Sequence, residues 1–183
     1  MIVSKIMRKK GLMALIVGFA VLAGCNGIGD FNYGKVRGII EGTPMRLDAE
    51  YVMLSSQQVE CGIQNDLWES PSSMGHERSV ARLTQQARDL KFADDVSMGE
   101  LRSPFAQIRG DIQLSVAEII NDRDGPEKDT RLVDVRVGAV IQHSCFPSPL
   151  PIMGVKKGNF TQDYPPVLLF RYNNGWQLEK FMH

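Results

Sequence analysis

Residues suited to nucleophilic, redox or metal chemistry are scarce in this chain: 183 positions hold three cysteines and three histidines. There is no Gly-x-Ser-x-Gly elbow, no phosphate loop and no His-Glu-x-x-His pair. Gly27-x-Gly29 lacks the third glycine and the strand–helix setting that dinucleotide binding requires. Charge of one sign is also lacking, with 21 basic against 21 acidic residues. Without a basic stripe, no nucleic-acid partner is expected. Long apolar runs are missing too. The most apolar stretch, from Gly11 to Gly24, falls short of the ~20 residues a spanning helix needs. No repeat or low-complexity tract is present.

The N-terminus is patterned. Lys5, Arg8, Lys9 and Lys10 precede the apolar run without any acid, and Leu22-Ala23-Gly24-Cys25 closes it. A basic head, a short apolar centre and small residues at its end are the parts of a secretory signal. Those four residues resemble the lipobox of bacterial lipoproteins. The resemblance implies lipid on Cys25, cleavage just before it by signal peptidase II, and acylation of the new N-terminus. Residues 1–24 are then a signal peptide, and Met7 is as good a start as Met1. Small side chains at 23 and 24 let an extended backbone enter a protease groove, and Cys25 is the segment's one thiol. Two or more acyl chains hold a protein on a membrane without a spanning helix, at ~0.8 kcal/mol per buried CH₂. In this family an aspartate after the cysteine favours inner-membrane retention in enteric-type bacteria. Asn26 stands there, so the resemblance points to the outer membrane, facing the periplasm.

Processing reshapes the balance of what remains. Loss of the four early cations leaves 17 basic and 21 acidic residues, a net charge of −4. With Cys25 lipidated, Cys61 and Cys145 are left in an oxidising compartment, where one disulfide is the simplest state. Two free thiols, or a metal site including His143, are the alternatives.

Residues 25–34 read as a lipidated, Gly/Asn-rich tether, and residues 35–183 as one domain. Lys35 to Glu41 and Arg46 to Leu54 flank a Gly-Thr-Pro break as a first strand pair. Gln58 to Ile63 alternates Val59, Cys61 and Ile63, the period of a half-buried strand. One principal helix is expected in HERSVARLTQQARDLKF, where Val80, Leu83, Ala87 and Leu90 recur at helical spacing and Ser72 or Ser73 offers a cap. Phe105 to Ile120 and Leu132 to Cys145 are long alternating segments around a charged Asp-Gly-Pro turn. VLLFRY and WQLEKF flank Asn173-Asn174-Gly175 and predict a second hairpin. The fold class is α+β, a mostly antiparallel sheet with one helix packed on a face. A β-sandwich with an inserted helix is the second choice.

Candidate chemistry is thin. The acidic turn Asp122, Asp124, Glu127, Asp129 fails as a calcium loop, because Gly125 as loop glycine puts Ile120 at position 1 and Arg131 at position 12. No metal site or cofactor is assigned. Glu118 lies on the apolar parity of its strand, either at an edge or paired with an arginine. His143 and Cys145, two apart on one strand, stand side by side, a poor geometry for a nucleophile and its base. No catalytic residue is assigned, and a hydrolase built from His143 and nearby acids is the residual enzymatic alternative. The segment from Phe146 to Val155 is unusual, with three prolines among large apolar residues before Lys156-Lys157. It either packs onto the domain or presents Phe146, Leu150, Ile152 and Met153 to a partner or lipid surface. The reading is a non-enzymatic envelope lipoprotein acting by protein contact. The alternative is a module binding a small apolar ligand between the sheet and the helix around Val80 to Leu90.

Overall fold

Asn32 opens the first element of the fold. The computed structural model describes residues 31–69, 80–97, 104–162, 167–173 and 175–182. The signal-like segment, Cys25, His76 and His183 lie outside them. The side chain of Asn32 accepts a hydrogen bond from the backbone N–H of Lys35 at 2.9 Å and caps helix α1, Tyr33–Gly42. Val36 and Ile40, one turn apart, are fully buried on its inner face. The expected strand from Lys35 to Glu41 is therefore a helix. Val36, Ile39 and Ile40 carry the i, i+3, i+4 spacing, and the cap fixes where the first turn begins. The expected tether also ends sooner, because Phe31 already packs against Phe170 and Trp176.

Strand β1, Met45–Met53, follows the Thr43-Pro44 break. Helix α2, Ser56–Gln64, replaces the strand expected from Gln58 to Ile63. Ser55 and Gln58 form a reciprocal capping box, which stabilises a helix start by about 1 kcal/mol. Val59 and Gly62 are its buried positions, three residues apart. The Trp68 ring lies over Gly62, and its Nε1 donates to the Val59 carbonyl at 2.8 Å.

The expected principal helix is mostly not helical in its described part. Val80–Ala81 forms β2, Gln85–Asp89 forms the short α3, and Val96–Ser97 forms β3. Tertiary bonding overrides the helical spacing. The Glu69 N–H donates to the Arg82 carbonyl and the Thr84 N–H to the Leu67 carbonyl. Thr84 then caps α3, where Ala87 is buried. The helix that packs on the sheet is α1.

Two long strands carry the architecture, β4 (Phe105–Asp124) and β5 (Thr130–Val140). Beyond them lie β6 (Leu150–Pro151), β7 (Gly154–Lys156), β8 (Asn159–Thr161), β9 (Val167–Tyr172) and β10 (Trp176–Met182). The main sheet runs β10-β9-β5-β4-β3-β2, with β1 on β4 and β6 on β5; β7 and β8 form a separate hairpin. Every strand pairing is antiparallel. The first half of β4 pairs with β1 and the second with β5, and the sheet curls into a half-barrel against which α1 packs. This is the expected α+β class, mostly antiparallel. The core fills the curl with Leu47, Trp68, Phe92, Ile108, Leu114, Leu168 and Phe170, each at most 2% exposed.

Two irregularities bend β4. Opposite β5, its register advances by an extra residue between Val116 and Glu118 and again between Ile119 and Asn121. Each such bulge bends the strand and reverses the parity beyond it. Ile119 thus packs on the core while Ile120 is 39% exposed. Glu118 is carried to the outer face, where it binds Arg136 on β5.

Candidate functional site

The most distinctive surface lies where the proline-rich segment returns along β5. Strand β5 ends at Val140, five residues before Cys145, so His143 is in a turn rather than on the expected strand extension. Within the turn the Phe146 N–H donates to the His143 carbonyl, and the Cys145 N–H donates to His143 Nδ1 at 3.2 Å. Cys145 is bonded to Cys61 of α2, with Cα atoms 5.5 Å apart. Its sulfur is not a free nucleophile, and the His143 imidazole is engaged by a backbone donor.

The side chains expected to meet a partner point inward. Phe146 is 4% exposed and stacks among Trp68, Phe92 and His143. Leu150, Ile152 and Met153 are also buried, at most 4% exposed, rather than presented on an open apolar face. Proline explains the geometry: an extended segment short of N–H donors lies along an edge instead of joining a regular ladder. Gly138–Pro151 and Ala139–Leu150 pair with β5, and the Ile152 N–H donates to the Val137 carbonyl at 3.0 Å. The Met153 N–H then bonds the Tyr51 carbonyl, linking the segment to β1.

What this segment builds is a wall. Pro149, Pro151 and Ile152 form one side of a mostly apolar groove of about 340 Å³. Ser115 and Ala117 of β4, with Val137 and Gly138 of β5, line its floor, and Arg136 and Gln162 complete the lining. Ala117 is the extra residue of the first bulge. Gly138 permits the close approach, since a Cβ there would lie 2.7 Å from Pro149 Cβ. Arg136 is held on two sides, by Glu118 and by the Gln162 carbonyl, which its Nε reaches at 3.2 Å. Ser115, Ala117 and Gly138 of the floor carry no mark in the sequence because such residues look like ordinary exposed strand positions. Their signal was Gly138 facing a proline run, together with the misfit of Glu118. In the segment from Val80 to Leu90, where a ligand site was expected, Ala81, Leu83 and Ala87 are buried in the core.

Asp122, Asp124 and Glu127 of the acidic turn bind arginines. Arg131 binds Asp122 and Asp124, and Arg171 binds Glu127 and Glu179. Hydrogen bonding to Asp122 is the main influence holding the Arg131 guanidinium above its ordinary pKa; Asp124 adds to it and burial opposes both. Arg131 also lies 5.6 Å above the Phe31 ring. Among the described residues no cluster of three or more His, Cys, Asp or Glu could hold a metal ion. Nor is any described helix long and apolar enough to cross a membrane.

Comparison with known protein families, characterised proteins and solved structures finds no match to this chain.

Proposed function

We propose that this chain is a lipid-anchored lipoprotein of the bacterial envelope, held by acyl chains on Cys25, whose domain acts by contact with another envelope protein rather than by catalysis. The observation that carries the reading is Leu22-Ala23-Gly24-Cys25 at the end of a basic-then-apolar leader, six residues before Phe31, which packs into the fold. Asn26 favours the outer membrane, with the domain on the periplasmic side. Cells fed radiolabelled palmitate should incorporate it into the wild-type chain and not into Cys25→Ser. Label retained by the variant would sink the reading.

The contact surface we assign is the groove between β4, β5 and the proline wall, sized for one or two apolar side chains of a partner. Ala117→Trp fills the floor from an exposed position. It should abolish cross-linking to the partner in intact cells while leaving the melting temperature unchanged. Full cross-linking by the variant would remove the groove from the interface.

The same groove supports a second reading, a site for a small apolar ligand, because its volume falls within the few hundred Å³ typical of such sites. A ligand carried through purification and detected by native mass spectrometry, then lost in Ala117→Trp, would favour this reading over the first.

A further inference from the structure

The chain enters its fold at one end of the half-barrel. Phe31 packs edge-on against Trp176 at 4.6 Å and Phe170 at 5.6 Å, under the guanidinium of Arg131. Arg131 is the second residue of β5 after the β4–β5 turn, and Trp176 is the first of β10 after the β9–β10 turn. The two turns are neighbours, since Thr130 pairs with Arg171 and the Tyr172 N–H donates to the Asp129 carbonyl at 2.9 Å.

The opposite end is defined as clearly. Phe160 of the β7–β8 hairpin packs on Tyr51 and Phe105, and Phe105 begins the strand that ends at Asp124 beside the entry point. Twenty residues of β4 separate the two ends, on the order of 60 Å of strand path at ~3.3 Å per residue. Val155, half exposed, and Lys156 and Lys157 lie on this distal hairpin.

We infer that the domain stands on the bilayer by its β4–β5 and β9–β10 turns, with the β7–β8 hairpin farthest from the lipid. The inference rests on lipidation of Cys25. From Cys25 to Phe31 the chain spans six residue steps, at most ~20 Å when fully extended. That reach is a fraction of the length of β4, so the anchor holds one end of the domain close and leaves the other far away. The residues at the near end suit the headgroup layer. Tyr33 is 45% exposed, and Tyr172 and Trp176 are half-buried with rings 5.5 Å apart, amphipathic aromatics of the kind enriched at membrane–water boundaries. The acids of this end are largely bound to Arg131 and Arg171, which limits their repulsion from anionic lipid. Lys156 and Lys157, on the β7–β8 hairpin, lie at the end held farthest from the headgroups.

The test uses mature lipidated protein in phosphatidylethanolamine–phosphatidylglycerol vesicles bearing a headgroup acceptor dye. A donor is attached at Lys128→Cys or at Val155→Cys, with the native disulfide left intact. Energy transfer should be several-fold stronger from position 128. Inserting a long Gly-Ser spacer after Gly29 should abolish that difference. Equal transfer from the two positions describes a domain lying flat and overturns the inference, as does stronger transfer from 155. A difference that survives the spacer overturns the role of the tether. If mass spectrometry finds no lipid on Cys25, the functional reading itself fails, an outcome distinct from a lipidated protein in the wrong orientation.

Discussion

Gly62 is where single atoms decide most. A Cβ at this position would lie 2.1 Å from Cζ2 of Trp68, an indole that is itself 1% exposed and bonded to the Val59 carbonyl. The ring is held by burial and by that hydrogen bond, so a Cβ there must displace it or the helix. Gly62→Ala should cost about 1 to 3 kcal/mol, the usual range for overpacking, read by denaturant unfolding. A change within error would mean the indole can move. Glu118 is the opposite case. Its pairing with Arg136 is exposed on both sides, and such pairs contribute about 0 to 1 kcal/mol, so Glu118→Ala should hardly shift the unfolding midpoint. The sequence marked Glu118 as anomalous and proposed an arginine as one solution. It did not reveal which arginine, because the answer depends on a bulge.

Elements were legible where local chemistry and tertiary pairing agree. Asn-Gly with alternating flanks forecast the β9–β10 hairpin, and the long alternating runs forecast β4 and β5. The two helices mistaken for strands are short apolar segments in which periods of 2 and 3.6 are hard to separate. Their caps, Asn32 and the Ser55–Gln58 box, are the local signals that mark them as helices. The bulges were invisible for a different reason: an extra residue on β4 is defined only by what lies opposite it on β5. The resulting parity change is directly testable. Ile119→Ser should destabilise by at least about 1 kcal/mol more than Ile120→Ser, because only Ile119 faces the core. Equal costs would mean the register is regular. In the proline segment, Leu150→Ala should lose about 2 to 5 kcal/mol, as expected of a fully buried leucine. A triple change of Leu150, Ile152 and Met153 to serine should therefore unfold the domain rather than uncouple a partner.

At the scale of the molecule, the groove was the part that sequence could not supply. Its lining is drawn from four separate stretches between Ser115 and Gln162, and Ser115, Ala117 and Gly138 of its floor are small. The cysteine pair was accessible because setting Cys25 aside, as the lipobox resemblance implies, leaves two. The Cys61–Cys145 link spans 84 residues, and the loop-entropy relation gives it about 4 to 5 kcal/mol. Replacing both cysteines with serine should lower the unfolding free energy by that order, measured in urea without reductant. That link has another consequence. Everything from Cys61, within α2, to Cys145, past the end of β5, lies inside one covalent ring, and the proposed anchor lies outside it on the N-terminal side. A protease that cuts once anywhere between Cys61 and Cys145 releases no fragment. If the proposed anchor holds, both pieces stay on the membrane and the C-terminal one departs only after reduction, a difference that gels run with and without thiol would display as two bands or one.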